Sequence, residues 1–206
     1  MVFKDMLPNQ VFHLAMITGE EVLGKKGLNA LLNYTKLQKF IDNYPPYNMD
    51  LEYTSEEFNR LMAGFIAILG EKGARPIMFR AGVRVFEITH EQFPDLFNID
   101  GIEPEKRSPE KMFDEFKRIY QIIVDASIAI YGEVYKFYDC EEGATLEMSP
   151  CLWCVGLKTE KPICFAQVGF QYGVTRWILG KTVKIEETEC IACGDDKCKF
   201  VIHRPE

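Results

Sequence analysis

The residues best suited to chemistry are the cysteines. The chain has seven, and five of them lie between Cys151 and Cys193, with Cys198 just beyond and only Cys140 before. Clustering of this kind in a reducing compartment points to metal ligation before disulfides. Two pairs, Cys151-Leu-Trp-Cys154 and Cys190-Ile-Ala-Cys193, have the spacing of a zinc ribbon and would together make a four-thiolate site. Cys198 follows Cys190 by eight residues across an expected hairpin, and Cys164 stands near the start of an expected helix, so both compete for the same ion. Glu187 follows Val183 and Ile185 on one strand face, which turns a carboxylate toward the core. A buried carboxylate is costly unless it is paired, hydrogen-bonded or bound to metal. Zinc taking three thiolates and one carboxylate oxygen would satisfy it. Glu187 and Cys190 have opposite parity, so the strand must end or bulge between them.

The elements that position these groups read as helices first, then strands. Val11, Leu14, Ala15, Ile17 and Val22, then Leu28, Leu31 and Leu32, predict two short helices punctuated by Gly24 and Gly27. Tyr44-Pro45-Pro46-Tyr47 ends that part. Thr54 and Glu57 form a capping box ahead of Phe58, Leu61, Met62, Phe65, Ile66 and Leu69. The stretch from Gly73 to His90 reads as a buried helix, with a strand pair as the alternative. Residues 91 to 107 carry Pro94, Gly101 and Pro104 and predict a long connection. Ser108-Pro109 opens the clearest helix, with a stripe of Met112, Phe116, Ile119, Ile123, Ala126 and Ile130 closed by Gly132.

Strands follow at Val134 to Asp139 and around Ala144, Leu146 and Met148, joined by Glu142-Gly143. Pro162 to Leu179 returns to helix, with Gly169 and Gly173 four apart, a spacing that lets a second backbone approach. Val183 to Ile191 and Lys197 to His203 predict a final strand pair around Gly194-Asp195-Asp196. The expected fold class is α+β: a helical N-terminal part over 1–107, packed on a small antiparallel sheet within 108–206, as one continuous domain.

Composition narrows the function. Apolar residues are 47% of the chain and charged residues 27%, which is ordinary globular make-up. Net charge is -7 and no basic stripe is present, so direct nucleic-acid binding is not expected. The first residues carry Lys4 and Asp5 without an apolar core, and no run is long enough to span a bilayer, which leads to a cytoplasmic expectation. No P-loop, GxSxG elbow or GxGxxG turn occurs, and His13, His90 and His203 are isolated, so no catalytic residue is assigned. The aromatic surplus (Phe79, Phe86, Trp153, Phe165, Phe170, Tyr172, Trp177) is ordinary core material residue by residue, and collectively could wall a pocket for a flat apolar ligand.

The order Cys164-x4-Gly169-x3-Gly173-x13-Glu187-x2-Cys190-x3-Gly194-Asp195-x2-Cys198-x-Phe200 resembles the signature of the 4-vinyl-reductase domain family. That domain occurs in predicted hydrocarbon-binding proteins, in a bacteriochlorophyll-biosynthesis protein and in the sensor modules of aromatic-responsive activators. The match runs over 150–203. Gly24-x2-Gly27-Leu28-Asn29 and Tyr44-Pro45-Pro46 are similar to stand-alone members. The resemblance implies a fold like that of tethering-complex (TRAPP) subunits and aromatic sensors. It implies structural zinc on Cys164, Glu187, Cys190 and Cys198, leaving Cys151, Cys154 and Cys193 as a competing set or a second metal site. It implies a small apolar ligand, aromatic, hydrocarbon or tetrapyrrole-like, with Phe165, Phe170 and Trp177 as candidate lining. It also implies a homodimer with a separate signalling partner. A role in tetrapyrrole vinyl-group metabolism is the alternative.

Overall fold

The computed structural model describes residues 6–92, 109–154 and 156–205, and all structural statements concern these. A short strand, β1 (Met6–Pro8), leads into helix α1 (Asn9–Tyr34). Strand β2 (Leu51–Thr54) then pairs antiparallel with β1, Leu7 opposite Tyr53, and runs into helix α2 (Ser55–Gln92). Helix α3 (Pro109–Tyr131) is followed by β3 (Tyr135–Asp139), β4 (Gly143–Met148), helix α4 (Phe165–Leu179), β5 (Ile185–Glu189) and β6 (Cys198–His203). The last four strands form one antiparallel sheet in the order β3-β4-β6-β5.

The expected α+β architecture, helices followed by a small antiparallel sheet, is present. The predicted capping box exists as drawn. The Thr54 N–H donates to Glu57 Oε2 and the Glu57 N–H to Thr54 Oγ1, both at 3.2 Å. The stretch from Gly73 to His90 is helical, the second half of α2. The connection expected over 91–107 and the Ser108 cap fall, from residue 93 on, outside the described residues.

Both long helices are broken at the same local sequence, Leu-Gly-x-Lys-Gly. Gly24 in α1 and Gly70 in α2 each sit at φ 68, with ψ 164 and 165, a region essentially closed to residues with a Cβ. Past these breaks the chain resumes its helix in a new direction. One consequence reaches the N-terminal stripe expected from periodicity: Ile17 and Val22 are exposed, at 36% and 47%, while Leu28, Leu31 and Leu32 are fully buried.

The tightest packing joins α2 to α4. A Cβ on Gly82 of α2 would lie 1.8 Å from the Ala166 carbonyl oxygen, and one on Gly169 of α4 would lie 2.1 Å from that of Phe79. Gly173 lies equally close to the Phe86 ring. The four-residue glycine spacing in α4 is therefore the surface on which α2 rests. Helix α4 is held between α2 and the sheet, with Cys164 at its N-cap.

Candidate functional site

Strand register places the metal-ligand candidates. In β6, Cys198, Phe200 and Ile202 are buried and alternate with half-buried residues. Cys198 pairs with Met148, the last residue of β4, so the turn that follows β4 comes off beside Cys198. That turn carries Cys151 and Cys154. On the other side of β6, Glu187 pairs with Phe200 and shares its inward face. The register then shifts between Glu187 and Glu189, the irregularity that the opposite parity of Glu187 and Cys190 required.

Two groups of potential ligands result, each with its donor atoms within 4.8 Å of one another. One is Cys164, Glu187, Cys190 and Cys198, the set implied by the family resemblance. The other is Cys151, Cys154, Cys164 and Cys198. Cys193 belongs to neither. It is exposed, with its thiol 3.8 Å from Thr159 Oγ1, so the four-thiolate ribbon suggested by the two CxxC pairs does not form. All described cysteines are free thiols.

The chemistry of this basin suits a cation. The Cys164 N–H donates to Glu187 Oε2 at 2.9 Å, which orients the carboxylate, while Glu187 Oε1 is buried without a hydrogen-bond partner. Burial, and next the charge of Cys190, push the Glu187 carboxyl up to about 9. Burial likewise raises the Cys151 and Cys164 thiols, whereas a hydrogen bond from Cys151 holds Cys154 well below the usual thiol range. Around the turn after β5 the Cys190 N–H donates to Asp195 Oδ2 at 2.7 Å and the Ile191 N–H to Cys198 Sγ at 3.3 Å. An N–H aimed at a sulfur favours the deprotonated thiolate that a metal needs.

Next to this basin lies a cavity of about 500 Å³, within the usual range for small-molecule sites. Every layer contributes to it: Leu7 and Pro8 from β1, Gln10 and Val11 from α1, Val85 and Thr89 from α2. Tyr120, Ile123 and Ser127 come from α3, Leu146 from β4, and Gln167 and Phe170 from α4. Leu152 and Trp153 complete the wall from the very turn whose flanking residues, Cys151 and Cys154, face the thiol cluster.

Most polar groups on this wall are engaged. Thr89 Oγ1 donates to Val85 O at 2.7 Å and Ser127 Oγ to Ile123 O at 2.8 Å, both within their own helices. The Tyr120 hydroxyl is hydrogen-bonded to Gln167, and burial pushes its pKa far up, so it stays neutral. Two groups remain without a partner among the described residues: the acceptor Gln10 Oε1 and the donor Trp153 Nε1, both buried.

Of the three lining candidates named from the sequence, Phe170 is on the cavity wall. Phe165 packs instead under Arg75, whose guanidinium is 4.9 Å from the ring centre. Trp177 stacks on His90 at 4.6 Å, beside Phe86. Neither is among the cavity's lining residues. Gln10 escaped sequence reasoning because an isolated glutamine in an amphipathic helix carries no signal.

The backbone arrangement is shared with solved proteins. An H-NOX protein from S. oneidensis in the Fe(II)NO ligation state superposes with a TM-score of 0.58 at 14% identity, over 94% of this chain and 99% of that one. The unliganded Fe(II) H-NOX protein from K. algicida gives 0.59 at 13% identity, over 97% of each. At such identities the likeness establishes the fold alone, and defines a protein built on the H-NOX type of α+β framework. Residues 144–204, which hold the sheet strands β4 to β6, α4 and all candidate ligands, match the vinyl-4-reductase domain, the family that the cysteine and glycine spacing resembles. The chain carries a domain of that family there.

Curated relatives share this region. The uncharacterized protein MJ0745 of Methanocaldococcus jannaschii is 32% identical over 82 residues, 35% of this chain and 45% of that protein. The transcriptional regulatory protein XylR of Pseudomonas putida is 35% identical over 57 residues, 28% of this chain and 10% of its own length. The phenol regulator MopR of Acinetobacter guillouiae is 30% identical over 43 residues, 21% of this chain and 8% of its own. This chain thus spans less than half the length of each of these relatives. No described helix is long and apolar enough to cross a membrane.

Proposed function

We propose that the chain is a ligand-binding sensor or carrier whose cavity takes a small aromatic molecule with one hydroxyl-like edge. The observation that carries this reading is the apolar cavity in which Trp153 Nε1 and Gln10 Oε1, a donor and an acceptor, are buried and unpartnered. A buried unpaired polar group costs about 1–3 kcal/mol, and a ligand hydroxyl can relieve both by accepting from the indole and donating to the amide oxygen. The relation to a phenol regulator supports the same ligand class.

The structural part of the proposal is a zinc ion held by Cys164, Glu187, Cys190 and Cys198. The orphaned Glu187 Oε1 fits a cation there. Four protein ligands would close the coordination sphere, so the ion would contribute folding free energy. It would also tie the N-cap of α4 to the β5–β6 turn. Since α4 carries Phe170 and Gln167 on the cavity wall, ligand contacts and the zinc-held end of the helix would move as one body. A reducing, cytoplasmic setting suits this thiol-rich basin. Homodimerisation and a separate signalling partner complete the proposal.

Calorimetric titration with phenol and with benzene tests the pocket. Phenol is expected to bind more tightly, and Trp153→Phe, which keeps an aromatic wall but removes the donor, is expected to narrow the difference by roughly 5-fold or more. If the folded wild-type protein binds neither compound, the aromatic reading is wrong. A coloured extract from the purified protein would instead favour the tetrapyrrole alternative.

A further inference from the structure

The two ligand groups share Cys164 and Cys198 and differ in their other members, Cys151 and Cys154 against Glu187 and Cys190. We propose that the basin is a binuclear centre: two divalent, zinc-type ions bridged by the Cys164 and Cys198 thiolates, with Cys151 and Cys154 terminal on one and Glu187 and Cys190 on the other. This deepens the proposed zinc site, on which it rests, by adding a second ion and two ligands to it.

The geometry supports both halves independently. A tetrahedral ion with metal–sulfur bonds of about 2.3 Å sets its sulfurs about 3.75 Å apart. The thiols of Cys151 and Cys164 are 3.6 Å apart, those of Cys154 and Cys198 are 3.3 Å apart, and those of Cys164 and Cys198 are 3.7 Å apart. Three edges of a thiolate tetrahedron are therefore already close to metal-binding length. The last of them is also an edge of the second group, so two tetrahedra can meet along it. On the far side, Glu187 Oε1 is the buried acceptor without a partner, a second sign that a cation belongs there.

Six donors with two shared give each ion four ligands and leave none over. Five thiolates and one carboxylate carry six negative charges against four positive, leaving a modest net negative charge at the N-cap of α4, the end of a helix that favours anions. The first ion would also pin the turn that presents Leu152 and Trp153 to the cavity, so ligand site and metal centre would share a wall.

Native mass spectrometry and elemental analysis of protein purified with zinc test the stoichiometry. Two ions per chain are expected, falling to one in the Cys151→Ser/Cys154→Ser variant and to one in Cys190→Ser. Because either variant could misfold, cadmium-113 NMR of the substituted wild-type protein provides a second reading, with two resonances of thiolate-rich character expected. One ion per chain, retained by Cys151→Ser/Cys154→Ser, would overturn the binuclear centre and leave the zinc of the proposed function standing. One ion lost from that variant but kept by Cys190→Ser would overturn both, placing the metal on the four thiolates alone. A Cys154–Cys198 disulfide, or reduced protein that takes up no metal, would also overturn both, whereas the aromatic cavity is judged by its own titration.

Discussion

Replacing Gly82 by alanine introduces a methyl group 1.8 Å from the carbonyl oxygen of Ala166, where ordinary contact begins at 3.4 Å. The obstacle is backbone, as is the one that faces Gly169 from the other side, so no side-chain rotation relieves it. Helices α2 and α4 must part by roughly 1.6 Å at this crossing, or bend around it. In an unobstructed helix the same change would stabilise by about 0.5–1 kcal/mol. Overpacking costs about 1–3 kcal/mol and more where nothing can yield, so we expect a net loss of about 3 kcal/mol. For a chain of this length that lowers Tm by roughly 6–12 °C. Helix α4 also carries Gln167 and Phe170, with Cys164 at its N-cap, so metal retention and ligand affinity should fall together with Tm. Differential scanning calorimetry at fixed total zinc, paired with urea denaturation, measures the loss. A Tm within about 2 °C of wild type, or above it, would show that the close crossing of α2 and α4 is not what holds this fold.

Two further outcomes are expected. Trp177→Ala should lower stability, because it removes the ring packed on His90 and Phe86, while leaving phenol affinity in the folded protein unchanged; a selective loss of affinity would put Trp177 in the pocket. In metal-free protein the Glu187 carboxyl, raised to about 9 from 4.5, keeps its proton in the folded state but not in the unfolded one between those values. Stability should therefore decline as pH rises through that window, by up to one proton's worth of slope, and Glu187→Gln should remove that part of the decline. Urea midpoints of both proteins across the window would read it, and identical pH profiles would refute it.

The sequence determined what depends on neighbours along the chain. Periodicity and caps set the types of α2, α3, α4 and the four strands of the main sheet. The Thr54–Glu57 box needed only local geometry. Strand parity placed Glu187 inward and required the irregularity that follows it, because alternation is a property of a single strand. Residue types at fixed spacing were enough to collect Cys164, Glu187, Cys190 and Cys198.

Only the tertiary structure could decide between groups that look alike locally. Cys151-x-x-Cys154 and Cys190-x-x-Cys193 have the same spacing, yet Cys151 and Cys154 join the basin and Cys193 faces solvent. What separates them is that β4 ends opposite Cys198, through the pairing of Met148 with a residue far along the chain. The β1–β2 pair, three and four residues long, went unread for the same reason: such short strands exist only through a partner distant in sequence. Helix α4 is apolar nearly all round, so its pattern could not say which aromatic meets the cavity. Phe165 lies about 140° around the helix from Phe170, and Trp177 shares its stripe but sits about 10 Å further along the axis. The cavity itself is bounded by helices and strands from both halves of the chain, and a volume enclosed between elements exists only once they have packed.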